Sequence, residues 1–540
     1  MQIDNNFLVK VDKLKELKKN TKLKPFPYMS KGFGKASVID LGSNSVKMVN
    51  YNVDNHNSYK PYHQESIRVK LAEGLIDDII QEKHIEHTIE ALKLFRNIID
   101  FEQINYEMAV ATSAVRDAKN KEEFMKRIQK ETGFDFKILS EYEEAIYSYA
   151  GAIRSLNLPT VIFFDIGGGS VEIVSAEDFK IKKVVSLPLG SLRLTQQFAD
   201  HLEFTEKTLS KMRAHVQESL PTRKELGIDD SKEIILVGVG GTLRSIAKYN
   251  QEKTKYPLKK LHNYPITWDS LKSIHTELMH QSNSNLTRIA TIGSGRADTI
   301  KAGIVTIYEL MKKFKFPSMI VSAQGLREGT LSLSLQYPDE FSNHKIDAQT
   351  VQDLVYLSCQ PESIPEHIED LVYLLFSTHL ISDDERTLLA YAIAQIDKLS
   401  SFRDVDNVLY SLLDDDSILS HREQLVVALS LIYSKKKKKA ESLVLKFKKI
   451  LKQNDKKSIR KIAAIVSLCD IFHKTGVLLK PTLETRDSIS LDIYVLKNAF
   501  PEILFQQTCT KTAQTLGIKI KPKIHYKTSE YFTSKPINNI

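Results

Sequence analysis

The chain has 540 residues, too many for one hydrophobic core and enough for three or four units. Its three cysteines (Cys359, Cys469, Cys509) stand in no metal-ligand spacing, so neither disulfides nor a zinc site is implied, and no apolar run is long enough to span a bilayer as a helix, which makes a cytoplasmic location the expectation. A formal net charge of +9, from 76 Lys and Arg against 67 Asp and Glu, favours a polyanionic partner and says nothing about fold. In chain order, residues 1–33 read first as a polar, Lys-rich N-terminal extension, charged throughout and helical at most before Pro25, Pro27, Gly32 and Gly34 break it.

The phrase DLGSNSVKMV, Asp40–Val49, follows Ser37-Val38-Ile39 and leads into a further apolar run, so it reads as strand, tight turn, strand. The turn Gly42-Ser43-Asn44-Ser45 presents bare N–H groups and serine hydroxyls that can wrap an anion, because Gly has no side chain to block approach. His84–Phe101 has the apolar spacing of an amphipathic helix through Ile85, Ile89, Leu92, Leu94 and Phe95. The phrase then recurs as DIGGGSVEIV, Asp165–Val174, with the turn Gly167-Gly168-Gly169-Ser170. One such turn is an ordinary hairpin, whereas two copies with matched Asp, Gly and Ser predict a phosphate clamp. The Asp at each mouth suits a divalent cation carried by that phosphate, since hard cations take carboxylate and phosphate oxygens together. The two copies are not equivalent in charge, since Glu172 in the second answers to Lys47 in the first. Glu172 is expected to face the cleft and Lys47 to point outward as a plain strand lysine. A third Gly-rich turn follows Ile234–Val237 and supplies Gly240, Gly241 and Thr242 as further phosphate donors.

These phrases, together with ATSAVRDAKN (Ala111–Asn120), EYEEA (Glu141–Ala145), SLPLGSLRLT (Ser186–Thr195), GVGGTLRSIA (Gly238–Ala247), GSGRADTIKAG (Gly293–Gly303) and SAQGLREG (Ser322–Gly329), resemble the exopolyphosphatase and guanosine pentaphosphate phosphohydrolase (Ppx/GppA) family of the actin, sugar kinase and Hsp70 superfamily. Actin-like sugar kinases share the phosphate turns but not the ATSAVRDA and RAD phrases. The resemblance implies an α/β fold of two actin-like (ribonuclease H-like) lobes, residues 34–155 and 156–335, with the active cleft between them. It also implies Mg²⁺-dependent hydrolysis of a terminal phosphoanhydride, with K⁺ a second candidate cation. Asp40, Asp165 and Glu172 would hold the metal directly or through water, and Glu144, rather than its neighbour Glu143, would activate the water. Ser113 would add a hydroxyl and Arg116 a guanidinium suited to phosphate, unless Arg116 pairs with an acid such as Asp117. Arg296 and Asp298 read as a salt bridge locking the second lobe. The expected substrate is inorganic polyphosphate, with guanosine pentaphosphate (pppGpp) as the alternative because the same groups would serve both. A silent sensor would lack the base or a metal carboxylate, and all four acids are here. A homodimer is expected, with no membrane and no sequence-specific nucleic acid as partner.

Beyond Tyr337-Pro338, residues 345–480 turn to long amphipathic helices similar to the HD-like domain of longer family members. In Ala394–Tyr410 Asp397 could stand for the HD aspartate, but Ile396 precedes it and Arg403, Asp404 and Asp406 occupy the next His-rich stretch, so a second metal-dependent phosphohydrolase is not expected. His421 reads as a lone surface histidine. Lys435–Lys439, followed by Lys446, Lys448, Lys449, Lys452, Lys456, Lys457, Arg460 and Lys461, is either a solvated helix face or a track for a phosphate chain or RNA, with no interleaved aromatic residue for base stacking. Residues 481–540 read as a small mixed C-terminal domain.

Overall fold

The computed structural model describes residues 34–54, 57–200, 203–229, 233–358, 364–376, 378–397, 405–414, 418–475, 477–485, 487–496 and 500–527. The N-terminal extension, Cys359, Arg403 and Asp404 lie outside them. The described residues fall into two compact units, one within Asp12–Cys359 and one within Gln360–Ile540.

The first unit is built on two sheets of the same plan. β1 (Gly34–Leu41) and β2 (Ser45–Val53) form the first duplicated phrase, and β3 (Tyr59–Arg68) extends the antiparallel meander. After the short ribbon β4 (Leu75–Ile76) and β5 (Ile79–Ile80), β6 (Tyr106–Ala111) and β7 (Phe136–Ile138) add in parallel, giving the order β3-β2-β1-β6-β7. The second phrase repeats the plan as β8 (Val161–Ile166), β9 (Val171–Glu177) and β10 (Lys180–Leu187). β11 (Ile235–Val239) and β13 (Ser318–Val321) join in parallel and β12 (Tyr264–Thr267) closes the edge, in the order β10-β9-β8-β11-β13-β12. Ala36 to Leu41 and Val161 to Phe164 are buried without alternation, the mark of strands covered on both faces.

Helix Glu141–Ile153 starts from a full capping box between Ser140 and Glu143 and packs against helix Leu326–Gln336. Two glycines permit this crossing: a Cβ on Gly151 would overlap the Gly325 carbonyl, and one on Gly329 would overlap the Tyr147 carbonyl. Helix Ala348–Ser358 contributes Val351, Leu354 and Val355 to the same core as Ile146, Phe163 and Leu331.

Among the described residues of the second unit, helices Glu366–Phe376, Asp383–Ala394, Val405–Asp414, His421–Lys435, Lys437–Lys446 and Asp455–Thr475 precede β14 (Leu478–Thr485), β15 (Ser488–Leu496) and β16 (Lys519–Lys527). β15 pairs antiparallel with β14 and parallel with β16, with helix Glu502–Leu516 as the crossover. The surface reading of His421 is corrected here: Ser420 caps the helix, and His421 is buried at 2% exposure inside its first turn. The lysine run is anchored at both ends, Lys435 to Asp470 at 2.6 Å and Lys439 to Asp406 at 2.9 Å, while Lys436, Lys437 and Lys438 are exposed. No helix among the described residues is long and apolar enough to cross a membrane.

Candidate active site

The two hairpin turns have one geometry. Gly42 N–H donates to Ser45 O at 3.1 Å and Gly167 N–H to Ser170 O at 3.0 Å, and strand register sets Asp40 opposite Lys47 and Asp165 opposite Glu172. The turns also face each other. A Cβ on Gly168 would sit 3.3 Å from Ser43 Cβ, and one on Gly169 would overlap Ser113 Oγ, so a side chain at either place would crowd the serines of the facing half. Ser43 Oγ and Ser113 Oγ share a hydrogen bond at 3.1 Å. Each turn is braced from behind: Val69 and Lys70 N–H donate to Asn44 O, and Leu192 and Arg193 N–H donate to Gly168 O. Gly240, at φ 113°, turns β11 into helix Gly241–Lys253 in a conformation that favours glycine.

One cavity collects most of the residues singled out in the sequence: Asp40, Gly42, Ser43, Asn44, Ser45, Ser113, Glu144, Asp165, Gly167, Gly168, Gly169, Ser170, Glu172, Gly240 and Gly241. Two are absent from its wall. Thr242 is fully buried, its hydroxyl without a hydrogen-bond partner and its methyl where a Cβ on Gly303 would sit. Arg116 donates from Nη1 to Glu144 Oε2 at 2.9 Å and to Leu139 O at 2.8 Å. Asp117, its suggested partner, instead meets Arg193 at 3.2 Å.

Two readings need correction. Lys47 lines the cavity, 3.6 Å from Asp40, instead of pointing outward, because the short four-residue turn fixes it directly across from Asp40. Arg296 also lines the cavity, its guanidinium over Gly241 where only a missing side chain leaves room, and Asp298 accepts from Asn283 at 2.9 Å. Arg244, Arg327 and Glu328 complete the wall. All three sit inside phrases already conspicuous in the sequence, GVGGTLRSIA and SAQGLREG, but polar residues next to glycine turns give no sign of which way they face.

The electrostatics are those of a crowded acidic floor under a basic wall. Burial pushes the Glu144 carboxyl up to about 7; Arg116 pulls it down, while Asp165 and Asp40 push it further up. Burial likewise raises Asp165, whose Oδ2 accepts from Ser148 Oγ. Glu172, 1% exposed, is raised well above the carboxylate range by burial and then by Glu144 and Asp165. Asp40 pulls the Lys47 ammonium up, but burial and Arg327, Arg244 and Arg296 outweigh it. Burial, then Arg244 and Arg68, lowers Arg296 to about 10. Glu143, one residue from Glu144, faces elsewhere: it holds the helix cap and meets Lys137 at 3.3 Å and His344 at 2.9 Å.

Two sheets of one plan whose Gly and Ser turns meet at one cavity make an actin-like α/β fold. The chain belongs to the Ppx/GppA phosphatase family, whose sequence model matches residues 49–337. It is 30% identical over 321 residues to the bifunctional 3-dehydroquinate synthase/phosphatase of Fusobacterium nucleatum subsp. nucleatum, a match covering 57% of this chain and 47% of that protein, so the chain spans about half of that relative. It is 26% identical over 318 residues to exopolyphosphatase 2 of Mycobacterium tuberculosis, covering 56% of this chain and 98% of that one. The crystal structure of an exopolyphosphatase from Cytophaga hutchinsonii is similar at a TM-score of 0.52 and 26% identity, over 56% of this chain and 97% of that one.

Proposed function

We propose that the chain is an exopolyphosphatase, releasing orthophosphate from the end of inorganic polyphosphate. The observation that carries this is the opposition of the Ser43 and Gly168-Gly169 turns with the Glu144 carboxylate, 14% exposed, in the same cavity. The turn N–H groups and the hydroxyls of Ser43, Ser113 and Ser170 hold the terminal phosphoryl group. Lys47, Arg244, Arg296 and Arg327 meet the negative charge of that group and of the next phosphate. Glu144 accepts a proton from the water that attacks phosphorus in line with the leaving phosphate. Its proton affinity lies where a base can be both free and strong at neutral pH.

Asp40, Asp165 and Glu172 suit Mg²⁺. Their mutual repulsion calls for a cation. That fits an ion that keeps several waters and is held by one or two carboxylates with substrate oxygens. When bound it would neutralise charge on the phosphoryl oxygens. The chain's similarity to exopolyphosphatases favours the polymer over pppGpp. K⁺ dependence, a homodimer, a cytoplasmic location and a binding role for the helical segment belong to the same reading. Phosphate release from polyphosphate, lost in Glu144→Gln protein that still binds the polymer, is the expected result. Full release by that variant would remove Glu144 as the base.

A further inference from the structure

A carboxylate that activates water must point its free oxygen at the reacting phosphorus, and a glutamate has enough rotatable bonds to point elsewhere. Here the orienting contact is the Arg116 guanidinium. Arg116 closes the short helix Ser113–Arg116, whose first residue lines the cavity while its last does not. Its Nη1 is shared between Glu144 Oε2 at 2.9 Å and Leu139 O at 2.8 Å, just before the capped helix that carries Glu144. Its own carbonyl is tied in turn by Lys121 Nζ at 3.0 Å. Arg116 and Glu144 side chains are 16% and 14% exposed, so the pair is shielded from competing water. Engaging Oε2 leaves Oε1 for a water in the cleft.

We propose that Arg116 is a positioning residue that aims the Glu144 carboxylate into the cleft, and is not a ligand of substrate phosphate. The proposal rests on the reading of Glu144 as the base. A guanidinium is required because one nitrogen must serve a carboxylate and a backbone carbonyl within a planar fork, which a lysine ammonium on a flexible stem reproduces only in part.

The test is a double-mutant cycle on the full chain, with polyphosphate as substrate and thermal melts to confirm folding. Arg116→Met should lower kcat by about ten- to a hundredfold, the cost of a misplaced catalytic group, and leave KM within about twofold. Arg116→Lys should recover part of the loss. Adding Arg116→Met to Glu144→Gln should cost nothing further. A rise in KM with kcat unchanged, or a further loss in the double variant, would overturn the proposal. If the wild-type chain releases no phosphate, the function proposed above fails on its own, and a crystal structure of the Arg116→Met protein still decides this point. A Glu144 carboxylate turned out of the cleft supports positioning, and one left in place contradicts it.

Discussion

At the scale of single residues the cleft is a problem of like charges made useful. Glu144 shares a buried site with Asp165 and Asp40, and burial holds its carboxyl near 7. A base works only when deprotonated, so the rate should fall as pH drops through about 7, losing one protonating group, and the limb should move to lower pH as Mg²⁺ is raised. A pH–rate profile at two Mg²⁺ concentrations checks this; a limb that stays near 4.5, the ordinary value for glutamate, would contradict it. Glu144→Gln should reduce kcat by about 10²–10⁴ with polymer binding retained. That Asp40 and Asp165 would meet at one cavity was legible because they open a repeated phrase. Side-chain direction was not: Lys47 looked like a plain strand lysine, and only its register opposite Asp40 turns it inward. Arg296 looked like the partner of Asp298 two residues on, a spacing at which helical side chains do not face each other.

At the scale of elements the determining feature is close approach through glycine. The duplicated phrase was readable as two hairpins because each alternates apolar runs around a Gly and Ser turn, and β1–β2 and β8–β9 are those hairpins. The crossing of helix Glu141–Ile153 with helix Leu326–Gln336 was not readable, since Gly151 and Gly329 are far apart in sequence and meet only in the fold. A Cβ at Gly329 meets backbone, which cannot rotate away. Gly329→Ala should therefore destabilise the chain by about 1–3 kcal/mol, seen as a lower melting temperature; an unchanged melt would mean the helices separate freely. The lysine run divides in the structure. With Lys435 and Lys439 held by Asp470 and Asp406, only the central lysines are free to act, and replacing Lys436, Lys437 and Lys438 by Ala should reduce the slope of log affinity against log salt for long polyphosphate by up to about 2. An unchanged slope would return the run to a solvated face. His421 was misread because a polar residue just after a capping serine looks exposed, whereas this helix is buried nearly all round.

At the scale of the whole molecule the internal repeat explains why a cleft exists. Two sheets of the same plan, each opening with a Gly and Ser turn, bring those turns to one cavity, and Lys47 and Glu172, which hold the same place in the two copies, both line it. The mixed α/β character and the family followed from this repeat and from the phrases around it. The later helical unit was legible as helix from its periodicity, but its role was not, because its buried acids are met by nearby cations, Asp455 by Arg422 and Glu385 by Lys461. The central claim is that the cleft cleaves a phosphate chain. It is tested most directly by Mg²⁺-dependent phosphate release from long-chain polyphosphate and from pppGpp at matched concentrations, beside the Glu144→Gln variant. Faster release from the polymer, abolished in the variant, is the predicted result; faster release from the nucleotide, or undiminished release by the variant, would contradict it.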